Sequence, residues 1–164
     1  MIKIYEDFDG AKFRYKMICL NKIKDLNLHF LHFFEELDLT HFSDVSNCPE
    51  YGMYEIDFFK KGYYTNQYLC FLIVLTLTTD GVSDKHNVKI RFRLGNLSYC
   101  YDIYKELSLP ILEFLAFNID PSVKYYRDEF DFLEIYNIDY IDKIKSNITI
   151  DNYNIWLESR KYNL

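Results

Sequence analysis

Glycine and proline are scarce, five and three in 164 residues, which excludes collagen, low-complexity linkers and glycine-rich phosphate cradles. Long apolar runs are missing too. The longest, Leu69 to Leu77 (LCFLIVLTL), has nine residues, against the ~20 that span a bilayer as a helix. The opening MIKIYED lacks the apolar stretch of a secretory signal, so the expectation is a soluble cytoplasmic protein without a membrane partner. No CxxC occurs. Four cysteines stand at 19, 48, 70 and 100, and Cys19, Cys70 and Cys100 sit among apolar neighbours, where free cysteine behaves as a small hydrophobe. They read as reduced and structural. A basic excess is absent as well: the net charge is −6 and the isoelectric point about 5.2, far from the usual nucleic-acid binder.

What the chain has instead is aromatic and acidic. It carries 16 Tyr and 14 Phe, and 49% of its residues are hydrophobic, enough to exclude disorder as the main description. The length suits one domain, residues 1–164, burying roughly 70% of its unfolded surface. Residues 97–142 hold ten acids and three bases, so this segment is −7 and the remainder sums to +1.

The first half reads mostly as strands. Lys12 to Leu20 alternates, Phe13, Tyr15, Met17 and Cys19 against Lys12, Arg14 and Lys16. Tyr51 to Lys60 alternates less strictly. Tyr68 to Thr78 is apolar on both faces, as a strand covered on both sides would be, and Val88 to Leu94 alternates again. These last two predict an antiparallel hairpin at the centre of a sheet, 68–94. Between the early strands, Leu26, Phe30, Phe33, Phe34 and Leu37 predict a helix over 25–37 capped by Asp25. The second half turns helical, over 96–107, over 110–117 and from Ser122 with Val123, Tyr126, Phe130 and Leu133 as its stripe. A terminal helix follows Asp151 with Ile155 and Trp156. The stretch 129–142 also suits a strand. The fold class is therefore α+β, a mainly antiparallel sheet packed against helices concentrated in the second half.

Four constellations could carry chemistry. Asp7-Phe8-Asp9-Gly10 resembles the opening motif of haloacid-dehalogenase-type phosphatases, in which one Asp is nucleophile and the second acid/base at the end of a buried strand. Here Lys3, Tyr5 and Glu6 interrupt the preceding stretch, Ala11 departs from the motif, and an acidic hairpin turn explains Asp9-Gly10 as well. His29, His32 and Glu36 fall within about 60° on one helix face. They could ligate zinc with His41, or form the polar shoulder of an amphipathic helix. Cys100, between Tyr99 and Tyr101, has no adjacent base. The basic combs Lys12/Arg14/Lys16 and Lys89/Arg91/Arg93 could follow the phosphates of a single strand, or guard sheet edges, and an outward Glu55/Asp57 pair on a neighbouring strand would neutralise one of them.

The strongest signal is Tyr125 to Asp142 (YYRDEFDFLEIYNIDYID). Asp128, Glu129, Asp131, Glu134, Asp139 and Asp142 are interspersed with Tyr125, Tyr126, Tyr136 and Tyr140. Tyrosine supplies rigid contact area with a polar tip, and carboxylates around it steer a cationic partner. Acids that mimic phosphates, with tyrosines to fill a cleft, are what an inhibitor of a basic nuclease needs.

In this acidic–aromatic character, on a compact α+β chain without catalytic motifs, the protein resembles bacterial immunity proteins of the polymorphic-toxin and contact-dependent growth inhibition type. The likeness is one of character over the whole chain. It implies a non-catalytic protein, without cofactor or small-molecule substrate and not itself a nucleic-acid binder, that neutralises one cognate toxin domain. Abundant Ile, Asn, Lys and Tyr beside two alanines suggest an AT-rich bacterial or phage genome.

Overall fold

The computed structural model describes residues 2–43, 48–60, 62, 69–79, 86–94, 109–119 and 131–162. Helix α1 (Ile2–Glu36) leads into β1 (Leu39–Ser43), a 3-10 turn (Pro49–Tyr51), β2 (Met53–Lys60), β3 (Leu69–Thr79) and β4 (His86–Leu94). Then follow α2 (Leu109–Ile119), β5 (Asp131–Asn137), a second 3-10 turn (Ile138–Tyr140), α3 (Ile141–Asn147) and α4 (Ile150–Tyr162). The five strands form one antiparallel sheet in the order β1-β2-β3-β4-β5. The α+β class is as expected. The hairpin β3–β4 pairs Thr79 with His86 through to Phe71 with Leu94, at the centre of the sheet, and the three shorter helices lie in the second half.

The largest departure is at the amino terminus. Lys12 to Leu20 is not a strand, and Asp9-Gly10 is not a hairpin turn: both lie inside α1, and Asp25 is an interior residue of that helix rather than its cap. The physical reason lies downstream. Cys19, Ile23, Leu26, Phe30, Phe33 and Phe34 recur at spacings of three and four, and all are buried. Once such a segment is helical, extending it by residues of fair helix propensity costs far less than starting a new element. Six residues of alternation in KFRYKM do not outweigh that.

At the other end of α1, the N–H groups of Leu37 and Asp38 donate to the carbonyls of Phe34 and Glu35 at 3.1 and 3.0 Å. Asp38 then takes φ +62°, the left-handed conformation that ends helices and that Asp tolerates better than most residues. The chain turns straight into β1, a strand the sequence pattern does not announce.

Strand β3 is covered differently from the expectation. Ile73 and Leu75 are buried, with Tyr54, Ile56 and Phe58 of β2 and Val88 and Ile90 of β4 on the same side, whereas Leu72, Val74 and Thr76 are half-buried. One face therefore carries the main core, and α1 lies on it: the Phe34 and Phe58 rings meet at a 43° tilt, their centroids 4.4 Å apart, and Leu20 packs beside Gly52. Phe33, Phe114, Tyr153 and Trp156 extend this core through α2 and α4, with ring centroids 5.1–6.1 Å apart. The expected helix from Ser122 is contradicted where it can be compared, since Asp131 to Leu133 belong to β5. Its first part and the helix over 96–107 lie outside the described residues.

Candidate functional site

The described part of the acidic–aromatic segment begins on β5, which pairs with β4 alone among the described strands. Register places Asp131 opposite Arg93, Glu134 opposite Ile90 and Tyr136 opposite Val88. Ile90 and Val88 belong to the core face. Positions 134 and 136 thus share the parity of the covered side, and position 131 the opposite parity. The register therefore splits these three positions between the two parities of the strand.

Beyond β5 the chain does assemble part of the expected face. Ile138, Ile141 and Ile144 recur every third residue and are buried to within 1–3%, anchoring the second 3-10 turn and α3. That anchoring turns the intervening residues outward. Asp139, Tyr140 and Asp142 are all exposed, Tyr140 to 53%. Asp139 stands 3.8 Å from Lys22 of α1, its side chain 78% open, a surface pair too loose and solvated to immobilise either group. Tyr125, Tyr126, Asp128 and Glu129 lie outside the described residues.

Beside this corner, α1 and β4 bring together Tyr15, Cys19 and His86. The Tyr15 ring meets His86 edge-on at 5.2 Å, and Tyr15 and Cys19 share a side-chain hydrogen bond. Burial pushes the Cys19 thiol up from its ordinary value, and the Tyr15 bond and Lys22 offset this only in part. A thiol kept protonated at neutral pH is a poor nucleophile. Tyr15 and Cys19 stand one helical turn apart on α1, whereas nothing in the sequence linked His86, from a distant segment, to them.

The histidines go to different partners. His29 donates from Nε2 to the carbonyl of Ile148 at 2.5 Å. His32 and His41 both approach Glu35, at 3.7 and 3.4 Å, and neither of these pairs involves Glu36. Among the described residues no three His, Cys, Asp or Glu side chains form a group that could hold a metal ion. Asp7 and Asp9 lie on a helix, not at the end of a buried strand.

Of the two basic combs, the first is dispersed, since residues two apart on a helix point about 200° apart. The second stands on β4, with Lys89, Arg91 and Arg93 opposite Thr76, Val74 and Leu72. Glu55 and Asp57 face Val74 and Leu72 from the far side of β3. They are therefore one strand removed from the comb, not directly opposite it. An open groove between α2 and α4 is lined by Pro110, Leu157 and Arg160, with Arg160 held by Glu113 at 2.7 Å and by the Trp156 ring at 4.7 Å. Among the described residues no helix is long and apolar enough to cross a membrane. No protein-family model matches the chain, and neither a curated protein nor a solved structure matches it.

Proposed function

We propose that the protein is a non-catalytic cytoplasmic inhibitor of the immunity type, which binds a basic, nuclease-type toxin domain through its acidic, tyrosine-bearing corner. The observation that carries this reading is Tyr140, half open between exposed Asp139 and Asp142 on a corner anchored by buried Ile138 and Ile141. A rigidly mounted aromatic ringed by carboxylates suits a cationic cleft: the ring fills it, and the acids raise the association rate. Asp128, Glu129 and Asp131, earlier in the same segment, extend the same chemistry in sequence. Enzymatic readings draw less support, because the Cys19 thiol is held protonated and His29, His32 and His41 are engaged with a carbonyl and with Glu35.

The test is co-purification of the tagged chain with the product of the gene immediately upstream of its own. The expected result is a one-to-one complex in which that product's nuclease activity is lost. Binding should weaken as salt is raised and on Asp139→Lys together with Asp142→Lys.

A further inference from the structure

Helix α1 is divided by charge. Residues 10–24 carry Lys12, Arg14, Lys16, Lys22 and Lys24 and no acid, whereas residues 25–36 carry Asp25, Glu35 and Glu36 and no Lys or Arg. The division falls on a helix whose outer side is uncovered. Residues 11–18 are exposed without exception, including Phe13 at 65%, Met17 at 42% and Ile18 at 53%. Further along, Asn21, Lys24, Leu28 and Glu35 continue the exposed line that passes through Arg14 and Met17. Their spacing alternates three and four residues from Arg14 to Leu28, the repeat by which one helix seats against another. A stretch of helix that buries so little gains little from tertiary packing, yet this one holds Phe13, Met17 and Ile18 in water.

We infer that α1 pairs antiparallel with α1 of a second copy of this chain, the two-fold axis passing beside Lys24 and Asp25. Antiparallel pairing is the arrangement that sets the basic half of each helix against the acidic half of the other, twice over. In the register centred on Lys24 and Asp25, Arg14 of one copy faces Glu35 of the second, and Lys24 faces Asp25. Met17 and Leu28 lie along the same seam. Parallel pairing would set like charges side by side. The helices overlap from Phe13 to Glu36, about 36 Å at 1.5 Å per residue, a modest interface, and the inference requires a dissociation constant of about 10 µM or tighter.

Sedimentation equilibrium of the full chain tests this. The unmodified protein should be dimeric well above that concentration. Asp25→Lys with Glu35→Lys should make it monomeric, as should Arg14→Glu with Lys24→Glu, each weakening association by at least about tenfold through like-charge contact. An equimolar mixture of the two double variants should restore dimers, because each then presents the charges the other lacks. A lost fold cannot produce that restoration. Should either variant fail to fold, Lys24→Cys, beside the two-fold axis, should cross-link into a covalent dimer on mild oxidation while Arg14→Cys does not. A wild-type chain that stays monomeric at about ten times the expected constant overturns the inference. So do reversed variants that remain dimeric, variants that do not pair when mixed, and a Lys24→Cys chain that fails to cross-link.

Discussion

His29 and Ile148 are 119 residues apart in sequence and joined by one hydrogen bond, from the imidazole Nε2 to the main-chain carbonyl. The bond ties the middle of α1 to the junction of α3 and α4, where Ile148 is fully buried. His29→Ala leaves that carbonyl without its donor, and a stability loss of about 1–3 kcal/mol is expected. Urea denaturation measures it directly.

Two glycines should respond in opposite directions. Gly52 has φ +68°, and a Cβ there would lie 2.7 Å from Leu77 Cβ and 3.2 Å from Leu20 Cδ2. Its carbonyl also accepts from the Leu77 N–H at 2.9 Å, so the loop cannot withdraw freely. Gly52→Ala should cost about 1–3 kcal/mol. Gly10 lies within α1, and a Cβ added there would meet nothing within 4 Å. Gly10→Ala should stabilise by up to ~1 kcal/mol through helix propensity. Thermal melts of the two variants should shift in opposite senses.

Asn27 is 7% exposed on the core side of α1, and its Oδ1 accepts no hydrogen bond. Desolvating a carbonyl oxygen without a partner costs about 1–3 kcal/mol. Asn27→Leu, with the same branched four-atom skeleton but apolar, should therefore raise the denaturation midpoint. An unchanged or lowered midpoint would show that the amide is satisfied in solution.

Stability should fall in alkali. Burial raises Cys19 above its ordinary 9.0 and Tyr153, Tyr54 and Tyr15 above 10.0. A raised value in the folded state means that the unfolded chain releases its proton first. The stability contributed by these neutral groups is thus complete below their ordinary values and is lost as pH rises through the folded ones. Melting temperature should hold level to about pH 8 and then decline, with a shallower decline in Tyr153→Phe.

The legible parts of the fold were those whose pattern belongs to one element. Ile73 and Leu75 against Val88 and Ile90 show the central hairpin, and the alternation of Tyr54, Ile56 and Phe58 shows β2. The terminal helix after Asp151 also stands close to the expected place. Lys12 to Leu20 misleads because a strand-like alternation there is overridden by the helix that Ile23 to Phe34 establish. β1 is short, and its pairing of His41 with Phe58 depends on the turn at Asp38. In the candidate site, composition marks the acidic–aromatic character but not its geometry. Register divides Asp131 from Glu134 and Tyr136, while the buried triplet Ile138, Ile141 and Ile144 turns Asp139, Tyr140 and Asp142 outward. The pairing of Lys22 with Asp139 depends on tertiary contact and has no local signature.

The most direct test of the proposed function is the affinity of the chain for the upstream gene product, set beside that of Asp139→Lys/Tyr140→Ala/Asp142→Lys. Toxin neutralisation predicts a stoichiometric complex that abolishes the partner's nuclease activity and weakens at least about a hundredfold in the triple variant. An upstream product that neither binds the chain nor loses activity in its presence would contradict the function. A complex that forms with undiminished affinity in the triple variant would contradict the site.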